Sequence, residues 1–574
     1  MANEKSKAEQ YRDERKARIA KAAKKNAHSM EKRNTAKKIV NKVIAIVLCV
    51  AIVLAAAGYL LNYYGAIQRV IRLGSVGEEE SVSLAEYEYY YMRAYNQIRY
   101  QSQYYQYYYQ TSNGYDTSLS PEDQPQTTKD DDGNEISWVE KLHNDTIQLI
   151  QLHKTYYNKA VEAGLKLSKA DEAYIDKQIE SLREEAKSAS KSSEKEQSNM
   201  TYSLNAYLRK VYGGAVNERF LRRMLKIQTL AQKYVTQRTA EIAKGYDQKT
   251  IDEAYKKDTS SYDIVTFRVY TFQTQTLTAE ENETDDALKA RQAKADAEVK
   301  KNANDFLNAV KDENSFIAKA KAANKDDESY DADKSTKLTN VKSYVSQNFS
   351  EDIANWLFNS TTKDGSKKLF SDEDNGKYTI VLAVKGPHQE KTVSVRHILF
   401  ATKDQSTNEA LSAEEIANKK AKAESTLKKF NEGDKSEDSF AALANEFTED
   451  TGTNTNGGLY ENIYPGQMVS AFNDWIFDSK RKTGDVDIVE TEFGYHLIYF
   501  VKADGTEYYD SAIRASKASE DFEKESQELL DGDTYTAYIG PRLSQYAEKS
   551  ALKKIKRLVE INKQNSSSSS SYSS

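Results

Sequence analysis

Nineteen consecutive residues, Val43–Leu61, carry no charge, and this is the only such run in the chain. As a helix rising about 1.5 Å per residue, it nearly spans a hydrocarbon core of about 30 Å. It also partitions the charge. The 42 residues before it hold fourteen Lys and Arg against five Asp and Glu, a net of +9, whereas the whole chain is −6, which leaves −15 beyond residue 42. Lys37, Lys38 and Lys42 crowd the N-terminal side of the run, so the positive-inside bias makes 1–42 a basic cytoplasmic tail and 43–62 a single transmembrane helix. Everything after Tyr63 then lies outside the cell. The competing reading is a signal peptide cut near Ala55-Ala56-Ala57. The basic stretch is long for a signal n-region, and Cys49, preceded by the bulky Leu48, suits lipid attachment poorly, so a retained anchor is expected.

Cys49 is the only cysteine, so the part beyond the membrane has no disulfide, thiol chemistry or cysteine-based metal site. A chain of 574 residues calls for several domains of roughly 100–200 residues. From 63 to 250 the apolar spacing of three and four is helical and strand signals are absent, with Gln110–Asn134 a polar loop or mobile insertion. Residues 87–109 contain eleven tyrosines. They form either a surface that grips unfolded chains or a helix that buries some rings and exposes the rest. Residues 504–564 return to helical character and complete the same helical domain, and the Ser-rich 565–574 reads as disordered.

Beyond 250 the chain turns to short β-rich runs and repeats itself in order. Phe267–Phe272 matches Val395–Phe400, Glu313–Phe316 matches Glu437–Phe440, Asn355–Phe358 matches Asp474–Phe477, and Gly376 with Ile380 parallels Gly494 with Ile498. In this alignment the first copy, 251–389, has Val269 and Tyr378 where the second, 390–503, has His397 and His496. Only the second copy is equipped for histidine chemistry.

That second copy opens with the strand Val395-Arg396-His397-Ile398-Leu399-Phe400 and continues with helices at 413–430 and 439–447. Then come Thr448-Glu449-Asp450, the Gly457-Gly458 turn, the loop Pro465-Gly466-Gln467-Met468, a short helix at 471–477 and the strand Phe493–Phe500. Over 393–503 this order of elements and words resembles the parvulin family of peptidyl-prolyl isomerases. The chain is thus expected to be α+β: the transmembrane helix, a helical chaperone-like domain and a degenerate parvulin-like domain read from the residues, then, as the resemblance implies, a parvulin domain whose four-stranded antiparallel sheet is wrapped by helices. The resemblance further implies that His397 and His496 face one another as catalytic residues with Asp450 and the hydroxyl of Thr491, and that Leu459, Met468 and Phe472 line a proline pocket. No cofactor and no metal are expected. The loop Leu459–Tyr464 departs from the family pattern, which leaves the pocket's shape open there. Thr402–Asn408 has a single basic residue, Lys403, where phospho-specific relatives carry a cluster, so no phosphoserine preference is expected.

The function expected is isomerisation of X-Pro bonds in unfolded or folding exported proteins by a membrane-held foldase. The alternative is a holdase that binds such chains without turning them over. A purely structural envelope role finds no wall-binding or polymerising repeat, and a charge of −15 beyond residue 42 is poorly suited to nucleic acid or anionic lipid. Clients and oligomeric state are not encoded legibly.

Overall fold

The texture change at 250 corresponds to the appearance of two four-stranded sheets. The computed structural model describes residues 67–570, apart from 79, 109–110, 131, 193–202, 282, 405–408 and 455. The basic tail 1–42 and the expected transmembrane helix 43–62 therefore lie outside the described residues. Among the described residues no helix is long and apolar enough to cross a membrane. In chain order the strands are β1 (Arg72–Val76), β2 (Glu80–Ser83), β3 (Thr128–Lys129), β4 (Glu135–Ile136), β5 (Ile264–Gln273), β6 (Lys337–Val341) and β7 (Lys367–Asp372). They continue with β8 (Lys377–His388), β9 (Lys391–Ala401), β10 (Leu459–Ile463), β11 (Val486–Thr491), β12 (Gly494–Glu507) and β13 (Ala537–Ile539).

The chain divides into two compact units. One comprises Met1–Lys166, Gln178–Thr236 and Glu523–Ser574, the other Leu167–Lys177 and Gln237–Phe522. In the first unit, helix Leu84–Tyr108 packs against helices Trp138–Glu162 and Pro541–Ser570. Its tyrosines divide along its length. Tyr87, Tyr89, Tyr90, Tyr91 and Tyr95 are buried, whereas Tyr100, Tyr104 and Tyr105 are exposed. The buried end is tied by polar side chains: Tyr87 donates to Glu548 at 2.8 Å, and His143 Nδ1 lies 2.7 Å from the same carboxylate.

Three expectations for this unit are corrected. Strands do occur: β13, β1 and β2 form an antiparallel sheet with Gly74 opposite Ile539 and Ser75 opposite Tyr538. Segments of three to five residues whose partner lies at the other end of the chain leave no local periodicity to read. The polar segment before 134 is built rather than mobile, with Tyr115 and Pro121 buried and β3 paired to β4. Helix Pro541–Ser570 runs on into the serine tract, because extending a formed helix costs little even for a residue of middling propensity.

In the second unit the sheets have the orders β6-β5-β8-β7 and β10-β9-β12-β11, all pairs antiparallel. Each sheet packs its longer helices on one face and a short one, Ser470–Ile476 or Glu351–Leu357, on the other. Ile398, Phe400, Leu497 and Tyr499 meet Phe430 and Phe440, as Ile380 and Leu382 meet Phe306 and Phe316. Each also carries the same bracket from first strand to helix: Arg396 Nε donates to Glu437 and Arg268 Nε to Glu313, both at 2.9 Å.

The paired register corrects the alignment at one point. Arg268 lies opposite Leu382 and Arg396 opposite Tyr499, so the first-sheet residue that corresponds to His496 is Thr379. Tyr378 belongs to the helical face, with Ile380 and Leu382, where Tyr495 sits in the second sheet. A slip of one residue in a strand exchanges the two faces. The first-sheet counterparts of the histidine positions are thus Val269 and Thr379, and the Thr379 hydroxyl lies 3.0 Å from that of Thr271.

Candidate active site

Along β9 the side chains alternate, so Val393, Val395 and His397 face away from the helices that cover Ile398 and Phe400. On β12, His496, Ile498 and Phe500 share the face of His397. Ile498 is Cα-paired with His397, and His496 with Leu399, which makes the two histidines diagonal neighbours within reach of one another. Their rings lie 5.5 Å apart at 19°, with 3.3 Å between the Nδ1 atoms. Both are buried.

Strand β10 pairs with β9 only as far as Arg396, which leaves the outer edge of β9 to be satisfied by other groups. The amide of His397 donates to the Gly458 carbonyl at 2.8 Å, that of Leu399 to Thr448 Oγ1 at 3.1 Å, and that of Ala401 to the Glu449 carboxylate at 2.7 Å. Gly458 has φ +72°, and a Cβ there would lie 2.1 Å from the His397 carbonyl oxygen, so this approach admits only glycine. The same edge contacts deliver the next residue, Asp450, to the imidazole.

Asp450 Oδ2 lies 2.8 Å from His397 Nε2 and accepts from Thr453 Oγ1 at 2.6 Å and Tyr460 Oη at 3.1 Å, while Oδ1 accepts from the Gly452 amide at 3.0 Å. Burial alone would raise its carboxyl. The hydrogen bonds from His397, Thr453 and the Gly452 amide instead hold it well below the usual carboxylate range. Burial, reinforced by the neighbouring His397, pushes His496 down to about 3. Burial beside the Asp450 charge pushes the Tyr460 phenol up to about 12.

These states order the protons. An ionised Asp450 only accepts, so His397 donates from Nε2. In the tautomer that carries its proton on Nε2, His397 accepts at Nδ1 from Nδ1–H of His496, and His496 Nε2 accepts from Thr491 Oγ1 at 2.9 Å. Thr491, His496, His397 and Asp450 thus form one directed chain of hydrogen bonds.

Apolar groups close over it. The ring of Phe472 stands edge-on to both imidazoles, at 5.7 Å from His397 and 5.3 Å from His496, and Tyr460 stacks on His397 at 5.0 Å. Met468 packs into the cluster that holds Phe472 and Trp475. Leu459 is Cα-paired with Arg396, and the β10 residue that meets the imidazole is the next one, Tyr460. Sequence reasoning overlooked Thr453 and Tyr460. Thr453 had a legible signal, because an Asp followed by Thr-Gly-Thr folds back on its own carboxylate as a turn. Among the described residues no group of three or more His, Cys, Asp or Glu is placed to hold a metal.

An antiparallel sheet with its longer helices on one face, and paired histidines, a buried carboxylate and aromatic walls on the other, is the arrangement of a parvulin-type domain. Residues 378–503 match the family model described as the PPIC-type PPIASE domain. Foldase protein PrsA 1 of Listeria innocua is 40% identical over 79 residues, 14% of this chain and 27% of that protein. Foldase protein PrsA 2 of Listeria monocytogenes is 36% identical over 99 residues, 17% of this chain and 32% of that protein. The chain thus spans about a quarter to a third of the length of these curated relatives. Among solved structures, the parvulin of Nitrosopumilus maritimus aligns at 26% identity over 20% of this chain and 98% of its own, with a TM-score of 0.14.

Proposed function

We propose that this protein is a peptidyl-prolyl cis-trans isomerase that speeds the folding of exported proteins and is held at the outer side of a membrane by residues 43–62. The carrying observation is the directed chain from Thr491 to Asp450 set against the Phe472 ring. Rotation about an X-Pro bond must overcome about 18–20 kcal/mol, because twisting breaks the amide resonance. No bond is made or cut. The twisted amide is less polar than the planar one, so a dry apolar wall of Met468 and Phe472 favours it over the ground state.

The imidazoles suit a positioning role better than proton transfer. With its pKa pushed down to about 3, His496 is neutral at pH 7, and both its nitrogens are engaged within the chain of hydrogen bonds. Asp450 anchors that chain and holds a fixed polar floor under the reacting amide. Exchange NMR or a protease-coupled assay on a proline tetrapeptide tests the assignment. Turnover in the wild type and its loss on His397→Ala with His496→Ala are expected, and full activity in that double variant would reject it.

The exported setting is supported by the Val43–Leu61 run with its basic flank, and the folding role by the relatives' name, foldase. In this reading 63–250, completed by 504–564, serves as a chaperone-like helical domain, 251–389 is a degenerate copy and 390–503 the enzyme. Protease shaving of intact cells that left the exterior segments whole would overturn the topology. A holdase role beside catalysis is favoured by one observation, the exposed rings of Tyr100, Tyr104 and Tyr105. Suppression of client aggregation by the doubly substituted protein would support it.

A further inference from the structure

We infer that the first sheet, which lacks the histidines, is a positioning element for the proline pocket of the second, acting through Asn340 on its edge strand β6. The inference rests on the isomerase reading above. The segment in question joins β10 to the helix Ser470–Ile476, and it places Met468 and Phe472. Its turn, Tyr464–Gln467, is held from two sides. From its own domain, Asn473 Oδ1 accepts from the Gly466 amide at 2.6 Å and Gln467 Oε1 from the Tyr464 amide at 3.2 Å.

From the first sheet, Asn340 Oδ1 accepts from Tyr464 Oη at 2.7 Å, and Asn340 Nδ2 donates to the Gly466 carbonyl at 3.4 Å. Asn340 and Tyr464 are both buried, and Tyr464 packs with Ile264 and Val341 of β5 and β6. Gly466 has φ +91°, and a Cβ there would lie 2.1 Å from the Thr339 carbonyl oxygen. The backbones of β6 and the turn are therefore in direct contact.

Strand β6 is an edge of its sheet, and an unpaired edge offers main-chain and side-chain groups to whatever lies beside it. Here that neighbour is the turn Tyr464–Gln467, which begins where the departing loop Leu459–Tyr464 ends. A buried amide side chain that bonds two points of one turn fixes the turn's orientation, and the pocket residue Met468 follows the turn immediately in sequence. The first sheet needs no imidazole for this work. It needs a rigid edge with Asn340 on it.

Because the effect falls on substrate placement, the reading to take on the full-length protein is the split between KM and kcat for a proline tetrapeptide by exchange NMR. Asn340→Ala should raise KM about five- to tenfold, the scale of one lost buried hydrogen bond, with kcat within about twofold. Tyr464→Phe removes the same bond, so the double variant should be no worse than the poorer single one. Val345→Ala, which opens the buried core of the first sheet without touching the turn, should lower Tm and leave KM unchanged. Gly466→Ala should raise KM further. Wild-type KM in both Asn340→Ala and Tyr464→Phe, or a KM that tracks Tm across all the variants, overturns the inference. Absence of exchange in the wild type would instead strike the isomerase reading itself.

Discussion

The two sheets of the second unit share strand order, strand register, helical cover and the Arg–Glu bracket, yet they differ at the face where chemistry would occur. One presents two imidazoles, a carboxylate and two aromatic rings. The other presents Val269 and a pair of threonines bonded to each other. The scaffold is therefore indifferent to the site. Two side chains on diagonal strand positions, and one turn that brings in Asp450, separate a candidate enzyme from a framework.

The comparison can be pressed at four places. The largest effect should come from the brackets. Arg268 is buried, with Glu313 and Asp333 as its carboxylate partners. Replacing both carboxylates by Ala leaves the guanidinium without a counterion and should cost about 3–5 kcal/mol. Arg396 is more exposed and also rests on the Asn456 and Gly457 carbonyls, so Glu437→Ala should cost about 1 kcal/mol or less. Urea unfolding read at Trp356 for the first sheet and at Trp475 for the second, each as the sole tryptophan, measures both.

Next, Asp450→Ala should lower kcat/KM about a hundredfold, because His397 loses the acceptor that orients it. The mirror experiment, Val269→His with Thr379→His, should yield no activity and should lower the stability read at Trp356. An active first sheet would show that the imidazoles suffice without their carboxylate.

The pH dependence is smaller and its sign is fixed. The unfolded chain protonates His496 near its ordinary value of 6.5, whereas the folded site resists protonation down to about 3. The unfolded state therefore binds more protons in that window. Stability is full above pH 6.5 and falls as the pH drops through it, by about 1.4 kcal/mol per unit. His496→Asn should flatten this slope between pH 6.5 and 4.5 at Trp475, and the slope at Trp356 should not respond. The smallest change is expected for Thr491→Val, which removes one hydrogen bond at the end of the chain farthest from Asp450 and should lower kcat/KM about fivefold.

Much of the second sheet was legible in the sequence because its signals are local. His397 and His496 stand in alternating strands, and the family's words surround Asp450, Met468 and Phe472. What escaped was non-local. Tyr378 was matched to His496 because the hairpin has four residues between Asp372 and Lys377 but two between Thr491 and Gly494, and a match that allows for one of the two leaves word order intact while it exchanges faces; only the pairing of β8 with β5 separates the two. Tyr460 sits in the loop where the family pattern fails, and its stacking on His397 depends on the register of β10. The strands β1 and β2 have no meaning until β13 is beside them.

That last pairing has a kinetic consequence. Gly74 and Ser75 bond to Ile539 and Tyr538, so the sheet of the first unit waits for almost the whole polypeptide to be made, whereas nearly all of the second unit is one continuous stretch, Gln237–Phe522. Contacts of such long sequence separation form late, because loop closure must come first. On a ribosome the two sheets with Val269 and His397 can fold while the tyrosine-rich helix still lacks the helix Pro541–Ser570, and the final thirty-odd residues complete the part of the chain that was synthesised first.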